Sequence, residues 1–166
     1  DVLKEKFKDT EIQFIVNESY ETTNMVCSLM CARNLMEKES DILISYGDII
    51  YSKEVLDKIL QSQDDMGVIV DDGWYEYWSA RCENPLDDAE TLMFNENNYL
   101  TEIGQKTNDL NKVQSQYIGL MRFKNAGLQA VLDLSAEAKK RSENGKTLWR
   151  TERTYAKMYM TDLLQG

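Results

Sequence analysis

The chain has 166 residues, with 29 acidic against 19 basic side chains, a net charge of −10, no histidine, three cysteines and one proline. That length suits one domain with a real core, and 42% hydrophobic residues exclude a compositionally disordered chain. The acidic surplus opposes nucleic acid and anionic membrane as partners, and without histidine the Ser-His-Asp and Cys-His hydrolases are excluded, so any chemistry runs on carboxylates.

In chain order, Val2, Leu3 and Phe7 stand at helical spacing, as in the tail of a helix that begins outside the chain. Glu11–Asn17 is a short β-branched and aromatic run that reads as a buried strand. Thr22 or Thr23 then caps a predicted helix to about Glu39, with Val26, Leu29, Met30 and Leu35 or Met36 on its apolar face. Cys27 and Cys31 lie on this helix; with no histidine beside them they read as reduced thiols, which fits a cytoplasmic protein. Asp41–Tyr46 is a second strand, Gly47-Asp48 its polar end, and Ser52 the cap of a helix carrying Val55, Leu56, Ile59 and Leu60. Met66–Asp71 is a third strand. This alternation predicts an α/β fold with a mainly parallel sheet and sites at the carboxyl ends of its strands, where Asn17, Asp48 and Asp71 stand.

Beyond Asp72 comes an aromatic cluster, Trp74-Tyr75-Glu76-Tyr77-Trp78, then Pro85 and the acidic run Asp87, Asp88 and Glu90. Thr91–Phe94 and Tyr99–Ile103 flank Asn95–Asn98 as a β-hairpin does. Val113–Phe123 is a further strand, broken at Gly119; Asn125–Ser142 is a helix ended by Gly145; Thr147 to about Leu164 is a last amphipathic helix. No repeat, linker or low-complexity run divides the chain. No apolar stretch approaches the roughly 18 residues of a membrane span, and neither an anchor nor a secretion signal is expected.

Two readings stand side by side for each local signal. Gly47-Asp48 is either a magnesium ligand at a phosphate site or a turn ahead of the next helix. The aromatic cluster either stacks on a ligand or sends alternate rings into the core, the second being favoured by pattern. The acidic run reads by default as a solvated loop.

A larger ordered pattern bears on these choices. It comprises Asn17-x-x-Tyr20-x-x-Thr23-Asn24-x-x-x-Ser28-Leu29, Leu43-Ile-Ser-Tyr-Gly47-Asp48-Ile49, Val68-x-Val70-Asp71, Glu102-Ile103-Gly104, Gln116-Tyr117-Ile118-Gly119-Leu120 and Met160-Thr161-Asp162-Leu163-Leu164. Together these resemble the sugar-phosphate nucleotidyltransferase family, most closely its phosphocholine and aminoethylphosphonate cytidylyltransferase branch. The resemblance implies a Rossmann-like domain with a mainly parallel mixed sheet and a small hairpin insertion. It also implies transfer of a nucleotidyl group from a nucleoside triphosphate, CTP first, to a small phosphorylated acceptor, with magnesium and release of pyrophosphate. By similarity Asp48 holds the metal; Tyr20, Thr23, Asn24 and Gly47 meet the nucleotide; Asp71, Trp74, Trp78, Glu102, Tyr117 and Asp162 surround the acceptor.

The family's Gly-x-Gly-x-Arg and Pro-Lys loop and its closing Trp-x-Glu-Ile-Asp segment are not among these residues. Residues 1–166 are therefore expected to be the central part of one such domain, incomplete at both ends, inactive alone and prone to associate through open sheet edges. The alternative is a non-catalytic domain that keeps the fold to bind a ligand or partner.

Overall fold

The computed structural model describes residues 2–166. Three strands form the central sheet: β1 (Asp41–Ser45), β2 (Met66–Asp71) and β5 (Gln116–Lys124), in the order β1-β5-β2. β3 (Glu90–Phe94) and β4 (Leu100–Lys106) form a separate hairpin. The helices are α1 (Val2–Lys6), α2 (Met25–Met30), α3 (Arg33–Met36), α4 (Lys53–Gln61), α5 (Trp74–Arg81), α6 (Asn125–Glu143) and α7 (Met160–Gln165). Asp1, in the expected first helix, lies outside the described residues.

The sheet corrects one expectation. β5 runs antiparallel to both neighbours, with Ile44 opposite Met121 on one side and Val68 opposite Met121 on the other. β1 and β2 do point the same way, as strand-helix alternation requires, but β5 enters between them from later in the chain and removes the parallel ladder. Alternation sets strand direction; it carries no information about which strand is inserted. The paired strands among the described residues are thus antiparallel, in a mixed α/β architecture.

Three further expectations change. Glu11–Val16 has no ladder partner among the described residues, and Ile12, Phe14, Ile15 and Val16 are exposed. The helix expected to reach Glu39 is split into α2 and α3 at Ala32 (φ −89°, ψ 4°), and its cap is Asn24, whose Oδ1 accepts from the Met25 amide at 2.8 Å. The last helix shrinks to α7. Residues 147–159 are irregular apart from a 3₁₀ turn at Tyr155–Lys157, because the Leu148 amide donates to the Arg153 carbonyl and the Tyr155 amide to Ser142 Oγ, outside any helical pattern. Leu148 and Met158 still reach the core from this loop, so apolar spacing there reports burial and not helix.

The main core lies between the sheet and α6: Val26, Met121, Phe123, Leu128, Val131, Met158 and Leu163 are buried together. Each fully buried side chain of this size contributes roughly 1.5–3 kcal/mol. A smaller cluster joins Trp74, Ala89 and Val113, with Trp78 and Leu86 packed against it. Arg122 locks the outer face: its Nε donates to Asp41 Oδ1 at 2.8 Å, and its Nη1 meets the Ile59 carbonyl at 3.1 Å near the end of α4. No helix among the described residues is long and apolar enough to cross a membrane.

Candidate functional site

The carboxyl end of β1 leads directly into Tyr46-Gly47-Asp48. One more ladder-like bond follows the strand, from the Tyr46 amide to the Gly119 carbonyl at 2.9 Å, and the chain then leaves the sheet with Gly47 and Asp48 exposed. The Tyr46 ring turns inward. Its edge meets Tyr117 with ring centroids 5.8 Å apart, and its hydroxyl donates to Met25 Sδ at 3.0 Å. Burial pushes the Tyr46 hydroxyl above its ordinary pKa, and the negative charges of Glu90 and Asp48 add to the rise. Burial raises Tyr117 further, so both hydroxyls stay protonated at any working pH.

These residues open onto a cavity of about 190 Å³ lined by Met25, Tyr46, Glu90, Tyr117, Tyr159, Met160 and Thr161. Glu90 is the one charged residue of that lining. Its backbone is held on both sides by the buried Gln116 side chain, whose Nε2 donates to the Glu90 carbonyl at 2.7 Å and whose Oε1 accepts from the Glu90 amide at 3.3 Å. Three tyrosines, two methionines and a single carboxylate suit a compact cationic group, which gains from both the fixed charge and the ring faces.

Of the residues singled out by sequence, Tyr117 lines this cavity. Asn24, Gly47 and Asp162 each adjoin a lining residue, namely Met25, Tyr46 and Thr161. Asp48 stands two residues past Tyr46. Thr23 is held from both sides, accepting from Asn17 Nδ2 at 2.9 Å and donating to the Ser19 carbonyl at 2.8 Å. Tyr20 is exposed and its hydroxyl donates to Glu21.

The others occupy the surroundings. Asp71 accepts from the Gly73 amide at 2.9 Å and sits opposite Gln116 in the β2–β5 ladder. Trp74 is buried against Ala89, the residue before Glu90, with Trp78 beside it, while Tyr75 and Tyr77 face outward. Glu102 lies on β4 opposite Met93. Asp162 is nearly enclosed: one oxygen accepts from Arg153 at 2.9 Å, the other from the Tyr159 amide at 2.9 Å, which fixes the start of α7.

Sequence reasoning did not single out Tyr46, Glu90, Met25, Tyr159 or Thr161 for the site. Glu90 carried a faint signal as the last acid of the run after Pro85, immediately before a strand. A larger groove of about 760 Å³ runs along the free edge of β2 to the hairpin tip at Asn95–Asn98 and contains none of the predicted site residues. Among the described residues no group of three or more carboxylates and thiols is gathered in a metal-binding arrangement.

The chain is 34% identical over 171 aligned positions to the CTP:phosphoglutamine cytidylyltransferase of Campylobacter jejuni, an alignment that takes in all of this chain and 65% of that protein. Over its whole length this chain is similar to a cytidylyltransferase. That protein fits the family and branch that the ordered motifs resemble, and the likeness takes in the whole chain. The chain spans less than two thirds of the length of that relative. No family model matches the chain, and no solved structure matches it.

Proposed function

We propose that the full-length protein transfers a cytidylyl group from CTP to a small phosphorylated acceptor bearing an amino or quaternary ammonium group, and that residues 1–166 form the central part of its catalytic domain. The observation that carries this reading is the 34% identity to a cytidylyltransferase over the whole chain. The chemistry of the cavity supports the choice of acceptor. Phosphoglutamine in the relative's name, and phosphocholine or aminoethylphosphonate in the resembled branch, all present a cationic nitrogen, whereas a sugar 1-phosphate need not.

In this reaction an oxygen of the acceptor's phosphoryl group attacks the α-phosphorus of CTP. A new phosphorus–oxygen bond forms, the bond from the α-phosphorus to the bridging oxygen breaks, and pyrophosphate leaves. Little covalent work falls on the protein, which positions two polyanions and balances charge. That demand suits a histidine-free chain. Thr23 and Asn24, with Tyr20 nearby, face the base or ribose; Gly47 lets the triphosphate approach the backbone; Glu90 and the rings of Tyr117 and Tyr159 hold the acceptor's cationic end, with Tyr46 bracing the Tyr117 ring from behind.

Asp48 fits magnesium by its chemistry: an exposed hard-oxygen ligand suffices, because this ion keeps several waters and takes its remaining ligands from substrate phosphates. The ion would supply charge neutralisation on the triphosphate. Asp71, Trp74, Trp78, Glu102 and Asp162 act around the acceptor by setting the walls: Trp74 and Trp78 back Ala89 and so Glu90, Asp71 flanks Gln116, and Asp162 holds the α7 start. A cytoplasmic setting supplies CTP and reduced thiols.

A pyrophosphate-release screen of the full-length protein tests the proposal. Four nucleoside triphosphates are paired with phosphoglutamine, phosphocholine, aminoethylphosphonate and a sugar 1-phosphate. Turnover with CTP and an amino-bearing acceptor is expected; a folded protein silent with every pair overturns the reading and favours a non-catalytic binding domain.

A further inference from the structure

We infer that Tyr46 is a positioning residue for nucleotidyl transfer: seated on the bare backbone of Gly119, its ring fixes the Gly47–Asp48 turn against α2 and the Tyr117 wall of the cavity. The inference rests on the assignment of Asp48 to the triphosphate. Asp48 has no anchor of its own, since among the described residues its carboxylate takes part in no hydrogen bond or ion pair. Its position is inherited from the last residue tied to the sheet, Tyr46, through the 2.9 Å bond to the Gly119 carbonyl.

Gly119 is built for this contact in two ways. Its φ of +89° lies where L side chains are strained, and a methyl group on it would sit 2.5 Å from Cγ and 3.1 Å from Cβ of Tyr46. The sheet is also irregular at this point. Between Val68 and Val70 on β2, the partner on β5 jumps from Met121 to Tyr117, so β5 bulges around Gly119. Bulges re-aim side chains beside sites, and this one makes room for a ring arriving from β1.

From that seat Tyr46 reaches three ways. Its backbone continues into Gly47-Asp48, its hydroxyl donates to Met25 next to the α2 cap Asn24, and its ring edge abuts Tyr117. One residue therefore links the proposed nucleotide side, the metal ligand and the acceptor cavity, the second through its backbone and the others through its ring and hydroxyl. Packing alone would not require that link, because Tyr46 is only partly buried and lies at the rim of the main core.

The test is a double-mutant cycle in the full-length protein, read as kcat and KM with CTP and the preferred acceptor, each variant being checked for a native melting transition. Gly119→Ala is expected to lower kcat at least about tenfold while the acceptor KM changes less than about threefold. In a Tyr46→Ala background the same change should cost less than about threefold more in kcat, because the ring that it displaces is gone and only the backbone strain at φ +89° remains, which the melting transition reads in both backgrounds. Equal losses in both backgrounds, or none in either, overturn the inference. A purely structural role would lower melting temperature and leave the kcat of the folded enzyme unchanged, which also overturns it.

Should Gly119→Ala not fold, the comparison of Tyr46→Phe with Tyr46→Ala decides. Phe keeps the ring on Gly119 and should retain clearly more kcat than Ala; equal losses overturn the assignment. A wild-type protein silent with every triphosphate overturns the nucleotidyltransferase reading and this inference with it, whereas an active wild type with additive variants removes this inference alone.

Discussion

The carboxylate of Asp162 is divided between two partners, with Oδ1 accepting from Arg153 Nη1 and Oδ2 from the Tyr159 backbone amide, both at 2.9 Å. The side chain of Asp162 is 2% exposed, and that of Arg153 32%. The arrangement ends the irregular 147–159 segment and starts α7, so that Tyr159, Met160 and Thr161 arrive together at the cavity.

Asp162→Asn should therefore destabilise the fold. It leaves Arg153 unpaired and places an amide where two donors converge, at a cost of about 2–4 kcal/mol. Urea unfolding should show a lowered midpoint with an unchanged slope; a midpoint within error of wild type would show that the pair is dispensable.

Asp48→Asn should leave the urea midpoint unchanged, because the side chain is exposed, yet lower the kcat of the proposed cytidylyl transfer by the full-length protein about a hundredfold or more. Retained activity would return Asp48 to a simple turn.

How much of this was legible in the sequence varies by element. β2, the hairpin and α6 follow from apolar alternation, turn residues and helical periodicity, since each is specified by neighbours close in the chain. The insertion of β5 between β1 and β2 is a long-range choice, and no local pattern in Gln116–Lys124 encodes it. The 147–159 loop misleads for the opposite reason: Leu148, Tyr155 and Met158 are apolar because the core needs them, with backbone bonds that no helix shares. At the site, Asp48 and Tyr117 stand out by motif, while Glu90 sits in what reads as a solvated acidic run. Its place in the cavity lining becomes visible only when Gln116, 26 residues later, clamps its backbone.

Stability should carry a small, signed acid dependence from Asp41. Hydrogen bonding from the Arg122 guanidinium holds the Asp41 carboxyl below the usual carboxylate range. The native state thus binds this proton less readily than the unfolded chain. The contribution is present above the unfolded value near ~4 and is lost as pH falls through the lowered native one. The pair is partly exposed, so the effect is modest. Asp41→Asn should lower the urea midpoint at pH 7, with the gap to wild type closing as the solution is acidified. A gap independent of pH would assign the loss to packing.

The cysteines should react in order. Cys31 is exposed, whereas burial pushes the Cys27 thiol up and its Sγ donates to the Tyr155 carbonyl at 3.6 Å. Alkylation near pH 8 followed by peptide mass should label Cys31 well before Cys27, since the thiolate is the reacting form. Equal rates would mean that α2 opens readily from the 3₁₀ turn at Tyr155.

The most direct measurement is the mass and phosphorus NMR spectrum of the product formed by the full-length protein from CTP and an amino-bearing phosphorylated acceptor. Under the proposed function, a cytidine diphosphate-linked acceptor forms together with one equivalent of pyrophosphate, and a Glu90→Gln variant shows an acceptor KM raised about tenfold with its KM for CTP retained. Release of inorganic phosphate without a linked product, or a linked product formed equally well with acceptors lacking a cationic nitrogen, would contradict it.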